Sequence, residues 1–329
     1  MKIFSADEIL QKLLESKNPY WDSYLAMYSS LWGGVVTDPG LMLVPIDDHM
    51  VHRGDAVFEV IKCRYGRIYQ FNAHLERLKT SAEAVGIVPA LSFAEIKNIV
   101  RETVQLSCVQ DCVIHIYLSR GPGGFTVNPF ESKSSQLYVV VTKWQPLPPR
   151  FYEEGVKVVL SHIPVKPSFF ARIKSCNYLP NVLMKKEALE VGADFAVALD
   201  EKGNLAEGAT ESIGLVSADG YLKFPQFERI LKGITLQRAA FLGQKLKQKG
   251  LIKDILFCPI PLEEVYKAKE IFLFGTTVDI LPVTLFEGKT VGAGTPGQIF
   301  RALKTLFEQD LFSDEVSEPI WQTSGEKRE

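Results

Sequence analysis

Four short segments carry side chains whose types and spacing suit chemistry on a small anionic ligand. Residues 173–181 read IKSCNYLPN. Lys174 ends an apolar approach, Ser168-Phe169-Phe170-Ala171, and precedes a helical pattern. Desolvation disfavours an ammonium, so a lysine in such surroundings presents the neutral amine that condenses with an aldehyde. The competing reading is a solvated surface lysine, the fate of most lysines. Residues 205–212 read LAEGATES, with Glu207 beside Gly208. That glutamate is either a solvated loop acid or a carboxylate facing a basic ring nitrogen and keeping it protonated. Residues 230–238 read ILKGITLQR, where Gly233 opens a helix. The first-turn N–H groups of any helix, together with its dipole, attract anions such as phosphate. Residues 274–280 read FGTTVDI, a strand ending in Gly-Thr-Thr. Hydroxyls and bare glycine backbone again suit a phosphate oxygen, although a plain turn has the same composition. In the first half, Arg77 lies within HLERL. It is either a surface arginine in a helical ion pair or a bidentate phosphate ligand.

The elements that must position these groups follow from periodicity. Residues 5–17 predict a capped helix, with Ser5 and Glu8 at capping-box spacing. Residues 24–46 read as short strands broken by glycine and proline, and 56–63 and 67–71 as strands joined at Tyr65-Gly66. Helices are expected over 74–85 and about 93–106, and strands over 112–119 and 136–142 with a mobile Gly-Pro-Gly-Gly loop between them. The second half predicts strands at 155–160, 195–199, 212–217 and 270–274. Its helices fall near 178–191, from Gly233 to about 249, and near 296–308, with Pro180 accommodated in a first turn. The division expected is a helical extension over 1–23, a small α/β domain over 24–144 and a three-proline linker over 145–151. A larger domain over 152–312 and a polar, mobile tail over 313–329 complete it.

A net charge of −2 leaves no basic excess to hold nucleic acid or an anionic membrane, so a small substrate or a protein partner is the expected ligand. No run of 18 apolar residues is present, and residues 1–17 lack a signal-peptide core. The odd set Cys63, Cys108, Cys112, Cys176 and Cys258 has neither CxxC nor zinc spacing, so no metal is expected. A reducing compartment, the cytoplasm, follows as the expectation.

Taken together, these segments resemble the class IV (fold type IV) pyridoxal 5'-phosphate enzymes. That group includes D-amino-acid aminotransferases, branched-chain aminotransferases and aminodeoxychorismate lyases. The resemblance runs from about residue 24 to 302, and the segments occur in the family's order. HRGDAVFEVIKCRYGRIYQFNAHLERL is similar to the opening block, which implies that Arg77 binds phosphate. IKSCNYLPNVL implies Lys174 as the Schiff-base lysine and Tyr178 as a partner of the cofactor's phenolic oxygen. AEGATES implies Glu207 at the pyridine nitrogen. LKGITLQR implies backbone N–H groups of Ile234 and Thr235 at the phosphate, and GTTVDILPV adds Thr276 and Thr277. The implied fold is a two-domain α/β (α+β) enzyme with the cofactor in the interdomain cleft, and the implied assembly is a homodimer. The implied activity moves an amino group between an amino acid and a 2-oxo acid, with Lys174 as general base.

Within that group, the bacterial D-amino-acid enzymes hold the substrate carboxylate with an Arg-x-His pair. Residues 119–125 here read SRGPGGF, with no second arginine and no histidine, and Phe58 stands at the usual pocket tyrosine. Arg120 is therefore read as a carboxylate anchor by another route or as a structural residue, with Phe58 as the other substrate-side candidate. The KxGGNY spacing of the branched-chain enzymes is absent. The readings are, in order, a D-amino-acid transaminase, an aminodeoxychorismate lyase expelling pyruvate, and a branched-chain L-amino-acid aminotransferase. From a different class comes a non-catalytic pyridoxal-phosphate-binding protein.

Overall fold

Ser5 and Glu8 each accept the other's backbone N–H, at 3.2 and 2.9 Å. Both halves of the predicted capping box therefore form, and they open α1 (Ala6–Glu15). The structure is a computed structural model that describes residues 1–321. It divides into two units, Met1–Gln145 with the chain from Asp314 onward, and Pro146–Ser313.

The first unit is built on an antiparallel sheet. After α1 come β1 (Tyr24–Ser29), β2 (Gly34–Val36) and a short α2 (His49–Arg53). β3 (Ala56–Arg64) and β4 (Arg67–Tyr69) form a hairpin. Tyr65 and Gly66 take φ of 53° and 69°, the left-handed pair that matches strand twist in a two-residue turn. α3 (Phe71–Ala84), α4 (Phe93–Leu106), β5 (Cys112–Ser119) and β6 (Gln136–Lys143) follow. β3, β5, β6 and β1 pair antiparallel in that order, with β2 outside β1. Alternate residues Val57, Ile61, Ile114, Ile116, Val139 and Val141 are fully buried. Leu75, Leu78 and Ala82 of α3, and Ile96, Val100 and Val104 of α4, are buried with them.

That buried face contains one carboxylate. Glu59 is fully buried, and it accepts two bonds from Arg77, each at 2.7 Å, with His74 Nδ1 also at 2.7 Å. Burial alone pushes its carboxyl up, but Arg77 and His74 outweigh burial and hold it at about 2.

Two expectations change here. The loop at 121–124 is fastened: His49 donates to Gly121 O at 3.1 Å and Gly123 donates to Asp47 O at 3.0 Å. The polar segment at 313–329 is not simply a tail. Ser317–Pro319 adds an antiparallel strand to β4, at the opposite edge of the sheet from β2. Its polar residues find partners there: Lys97 and Arg101 both bind Glu318, at 2.8 and 2.7 Å, and Arg67 pairs with Asp314. Residues 322–329 lie outside the described residues.

The second unit starts at Pro146, so most of the proline segment expected as a linker belongs to it. Its elements are α5 (Arg150–Glu153), β7 (Val156–Leu160), α6 (Ser168–Ala171), α7 (Leu179–Glu190), β8 (Phe195–Leu199), β9 (Leu205–Gly208), β10 (Ser212–Val216) and β11 (Leu222–Phe224). α8 (Ile234–Gln248), β12 (Ile255–Phe257), α9 (Leu262–Val265), β13 (Glu270–Gly275), β14 (Asp279–Phe286), β15 (Lys289–Thr290) and α10 (Gln298–Asp310) complete it. Pairing runs β10–β13–β14–β7–β8–β9, and β9 pairs again with β10 through Glu207 and Ser212. The strands thus close on themselves. One apolar cluster, including Val158, Val197, Ile213, Leu273 and Leu281, fills one face. A second cluster joins Phe272, Phe274 and Ile280 to Leu236, Leu242, Phe300 and Leu303 of α8 and α10. Among the described residues no helix is long and apolar enough to cross a membrane.

Because Glu59 titrates below its ordinary range, its contribution to stability is present above pH 4.5 and is lost as pH falls towards 2. Glu59→Gln is expected to destabilise the protein by roughly 3 kcal/mol at pH 7, from the size of that shift and the unpaired arginine left behind. Urea unfolding at pH 7 and at pH 3 measures both the loss and its narrowing in acid.

Candidate active site

From the last residue of α6 onward, burial alternates. Ala171, Ile173 and Ser175 are buried, while Lys174 is half-buried between the last two. Anchoring its neighbours fixes where Lys174 points. Pro180 sits in the first turn of α7, where no donor is needed, and Tyr178 is the helix N-cap. Lys174 Nζ donates to the Tyr178 hydroxyl at 3.1 Å. Asn181, one turn further on, donates to Ala209 O and ties α7 to the loop after β9.

Glu207 sits in β9 opposite Ser212 of β10. Its Oε2 accepts the Leu231 N–H at 3.1 Å. Burial raises its carboxyl to about 7, against the opposing pull of the Leu231 N–H, Lys166 and Lys174. A carboxyl poised there exchanges its proton near neutrality, and perturbation of this kind concentrates at functional sites.

Leu231 leads into α8. Gly233 is the N-cap, and no side chain caps the helix. A Cβ at this position would collide with Ser212 Oγ, so the close approach of helix start to strand requires glycine. The first-turn residues Ile234 and Thr235 are buried. Ser212 also pairs with Phe274, the residue before the Gly275–Thr277 turn. Register therefore brings Glu207, the α8 N-terminus, half-buried Thr276 and exposed Thr277 to one end of the sheet. An amine, a phenol, a carboxylate, an anion-binding helix start and two hydroxyls form a donor set that fits a phosphorylated pyridine aldehyde.

Lys166 carried no sequence signal and is nonetheless at this site. Its Nζ lies 4.7 Å from the Tyr178 ring centroid. Burial lowers its pKa, and Glu207 and Cys176 act in the opposite direction.

The other expected site residues belong to the first unit. Arg77 is gripped by Glu59 as described. Phe58 stacks on Tyr117 across the β3–β5 pair, with centroids 5.9 Å apart. Arg120 does not stand ready as a carboxylate anchor. It binds Asp55 through two bonds, at 2.5 and 3.1 Å, and donates to the carbonyls of Val85 and Gly86 at 2.8 and 3.0 Å. The structural alternative for this residue is the one observed: it clamps the end of α3 to the start of β3.

Comparison with known proteins extends these observations. The class IV aminotransferase family model matches residues 56–286. The chain is 38% identical over 295 residues to a chloroplastic D-amino-acid transaminase of Arabidopsis thaliana, covering 88% of this chain and 77% of the relative. It is 28% identical over 290 residues to the D-alanine aminotransferase of Bacillus licheniformis, covering 86% and 97% of the two chains. Its fold superposes on the branched-chain amino acid aminotransferase of Escherichia coli with a TM-score of 0.82 at 25% identity, covering 91% of this chain and all of that one. On the extent of the family match and of the similarity to these relatives, this chain belongs to the class IV aminotransferases, pyridoxal 5'-phosphate enzymes that exchange amino groups between amino acids and keto acids.

Proposed function

We propose that the chain is a D-amino-acid-type transaminase in which Lys174 is the catalytic lysine. The observation that carries the site assignment is the hydrogen bond between Lys174 Nζ and Tyr178, with Glu207 close enough for its carboxyl to respond to Lys174. The D-amino-acid preference is supported by the two relatives named for D-substrates. The fold likeness to a branched-chain enzyme favours the second reading, L-branched-chain substrates.

Bound pyridoxal phosphate supplies a carbonyl that captures the substrate's amino group and a protonated ring that takes up negative charge from Cα. The protein's residues then divide the work. Lys174 acts as nucleophile through its neutral amine and carries the proton to and from the substrate's Cα. Tyr178 holds that amine in place, and its hydroxyl would pair with the cofactor's phenolic oxygen. Glu207, when ionised, accepts a ring N–H. The N–H groups of Ile234 and Thr235 bind phosphate at the helix start, and Thr276 and Thr277 add hydroxyls. With Arg120 clamped to Asp55, recognition of the substrate carboxylate falls to other groups than the arginine after β5. We read the enzyme as a homodimer in a reducing compartment, consistent with five free thiols among the described residues.

Lys174→Ala is expected to abolish the visible absorption band of the bound cofactor and to lower turnover by at least about 100-fold, the lower range for losing a general base. An unchanged band rules out this lysine. Glu207→Gln is expected to keep the cofactor bound while slowing turnover. Because the Glu207 carboxyl is raised, its contribution to stability is present below pH 4.5 and is lost as pH rises through about 7. The cofactor-free Gln variant should therefore exceed the wild type in stability at pH 8, by on the order of 2–3 kcal/mol. Denaturant titration measures this. Conversion of the cofactor to its amine form by D-alanine but not L-leucine supports the first reading, and the reverse supports the second. Pyruvate release from aminodeoxychorismate without a keto acceptor would replace both with elimination.

A further inference from the structure

Strand β10 brings a hydroxyl to the start of α8. Ser212 is only 8% exposed. Its Oγ lies 2.3 Å from the place that a Cβ on Gly233 would take, whereas its own Cβ is 3.4 Å from that place. The hydroxyl is therefore turned towards the N-cap of the helix. Among the described residues it makes no hydrogen bond, neither to Glu207, its partner across the strand pair, nor to the helix.

The helix start is left open in the same way. Gly233 N–H donates to Leu231 O at 2.8 Å, and Gly233 O accepts the Gln237 N–H at 2.9 Å, which begins the helical ladder. The N–H groups of Ile234, Thr235 and Leu236 come before that first bond, and among the described residues they have no partner. Most helices satisfy such groups with a serine, threonine or aspartate at the N-cap. The backbone here would accept one: Gly233 has φ −61° and ψ 122°, which any residue adopts. What forbids it is Ser212, whose Oγ stands beside the position of a capping side chain without capping anything.

A buried hydroxyl without an acceptor is unfavourable, and so is a row of N–H groups without one. One ligand relieves both. It has to be rich in acceptors, and the dipole of a 15-residue helix selects a negative one. A phosphate has several oxygens and takes N–H and O–H donors at once. The turn after Phe274, the strand partner of Ser212 on its other side, adds the half-buried Thr276 to the same end of the sheet. We propose that Ser212 is a ligand of the anion at the start of α8: it donates its O–H to a phosphate oxygen, and the bare Gly233 leaves capping of the helix to that phosphate.

The identity of the phosphate as the cofactor's rests on the cofactor reading, whereas inorganic phosphate tests the role of Ser212 by itself. Cofactor-free full-length protein is unfolded in urea with phosphate added in the low millimolar range at constant ionic strength. Wild type, Ser212→Ala and Ser212→Cys are compared, the last keeping the shape of serine with a weak donor. Without phosphate, Ser212→Ala is expected to unfold at the wild-type midpoint, because its hydroxyl has no protein partner to lose. With phosphate, the dissociation constant obtained from the stabilisation is expected to rise about 10-fold in both variants, the low end for losing a hydrogen bond to a charged group. Equal phosphate affinity in wild type and either folded variant overturns the proposal, as does a wild type that phosphate fails to stabilise. A Ser212→Ala that is weaker without phosphate, yet gains as much from it as wild type, marks a structural hydroxyl and also overturns it.

Pyridoxal phosphate and pyridoxal, the same ring without the phosphate, are then titrated by absorbance. Ser212→Ala is expected to weaken the first about 10-fold and to leave the second unchanged. An equal loss for both aldehydes refutes a phosphate contact. A wild type that forms no absorbance band with either aldehyde overturns the cofactor reading alone, and the inorganic phosphate result still decides on Ser212.

Discussion

A carboxylate withdrawn from water is costly unless donors or cations replace its hydration, and both units of this chain are organised around such a group. Glu59 and Glu207 are the same residue type, each set in a strand, the first fully buried and the second partly so. Glu59 receives a bidentate guanidinium and a histidine, and its carboxyl stays near 2. Glu207 receives one backbone N–H and two lysines acting through charge, and its carboxyl stands near 7. The first arrangement locks α3 onto β3. The second leaves a group whose proton is negotiable at neutral pH, which is what an electrostatic partner of a titratable ring requires.

The closure of strands in the second unit places that group. Glu207 and Phe274 both pair with Ser212, on opposite sides of β10. One residue therefore sets the carboxylate, the Gly-Thr-Thr turn and the start of α8 at a common edge. Gly233 lets the helix approach the Ser212 hydroxyl, and the buried side chains of α8 hold it against Phe272 and Phe274. Backbone register does the positioning, and the functional side chains mostly follow from it.

Much of this was legible in the chain. Ser5 with Glu8, the Pro180 entry to α7 and the Gly233 start of α8 each announce themselves by local rules that the structure obeys. What escaped was non-local or locally contradictory. β14 has Pro282 in its middle, a residue that argues against a strand, yet it pairs on both sides. Arg120 stayed open between a substrate anchor and a structural residue because its partner Asp55 lies far back in the chain. Lys166 belongs to no periodic pattern, and only the fold brings it over Tyr178. The segment around Ser317 reads as polar because its partners, Lys97, Arg101 and Arg67, are distant in sequence.

That returning strand bears on how the protein is made. A ribosome releases the first unit's other strands and its helices early, but the edge of β4 that Ser317–Pro319 covers stays bare until the whole second unit has emerged. During that interval the nascent sheet presents unpaired backbone donors and acceptors, a template for mispairing with another chain. Glu318 and its flanking polar residues thus act as a late latch, and the vulnerable period of biogenesis ends only when they arrive.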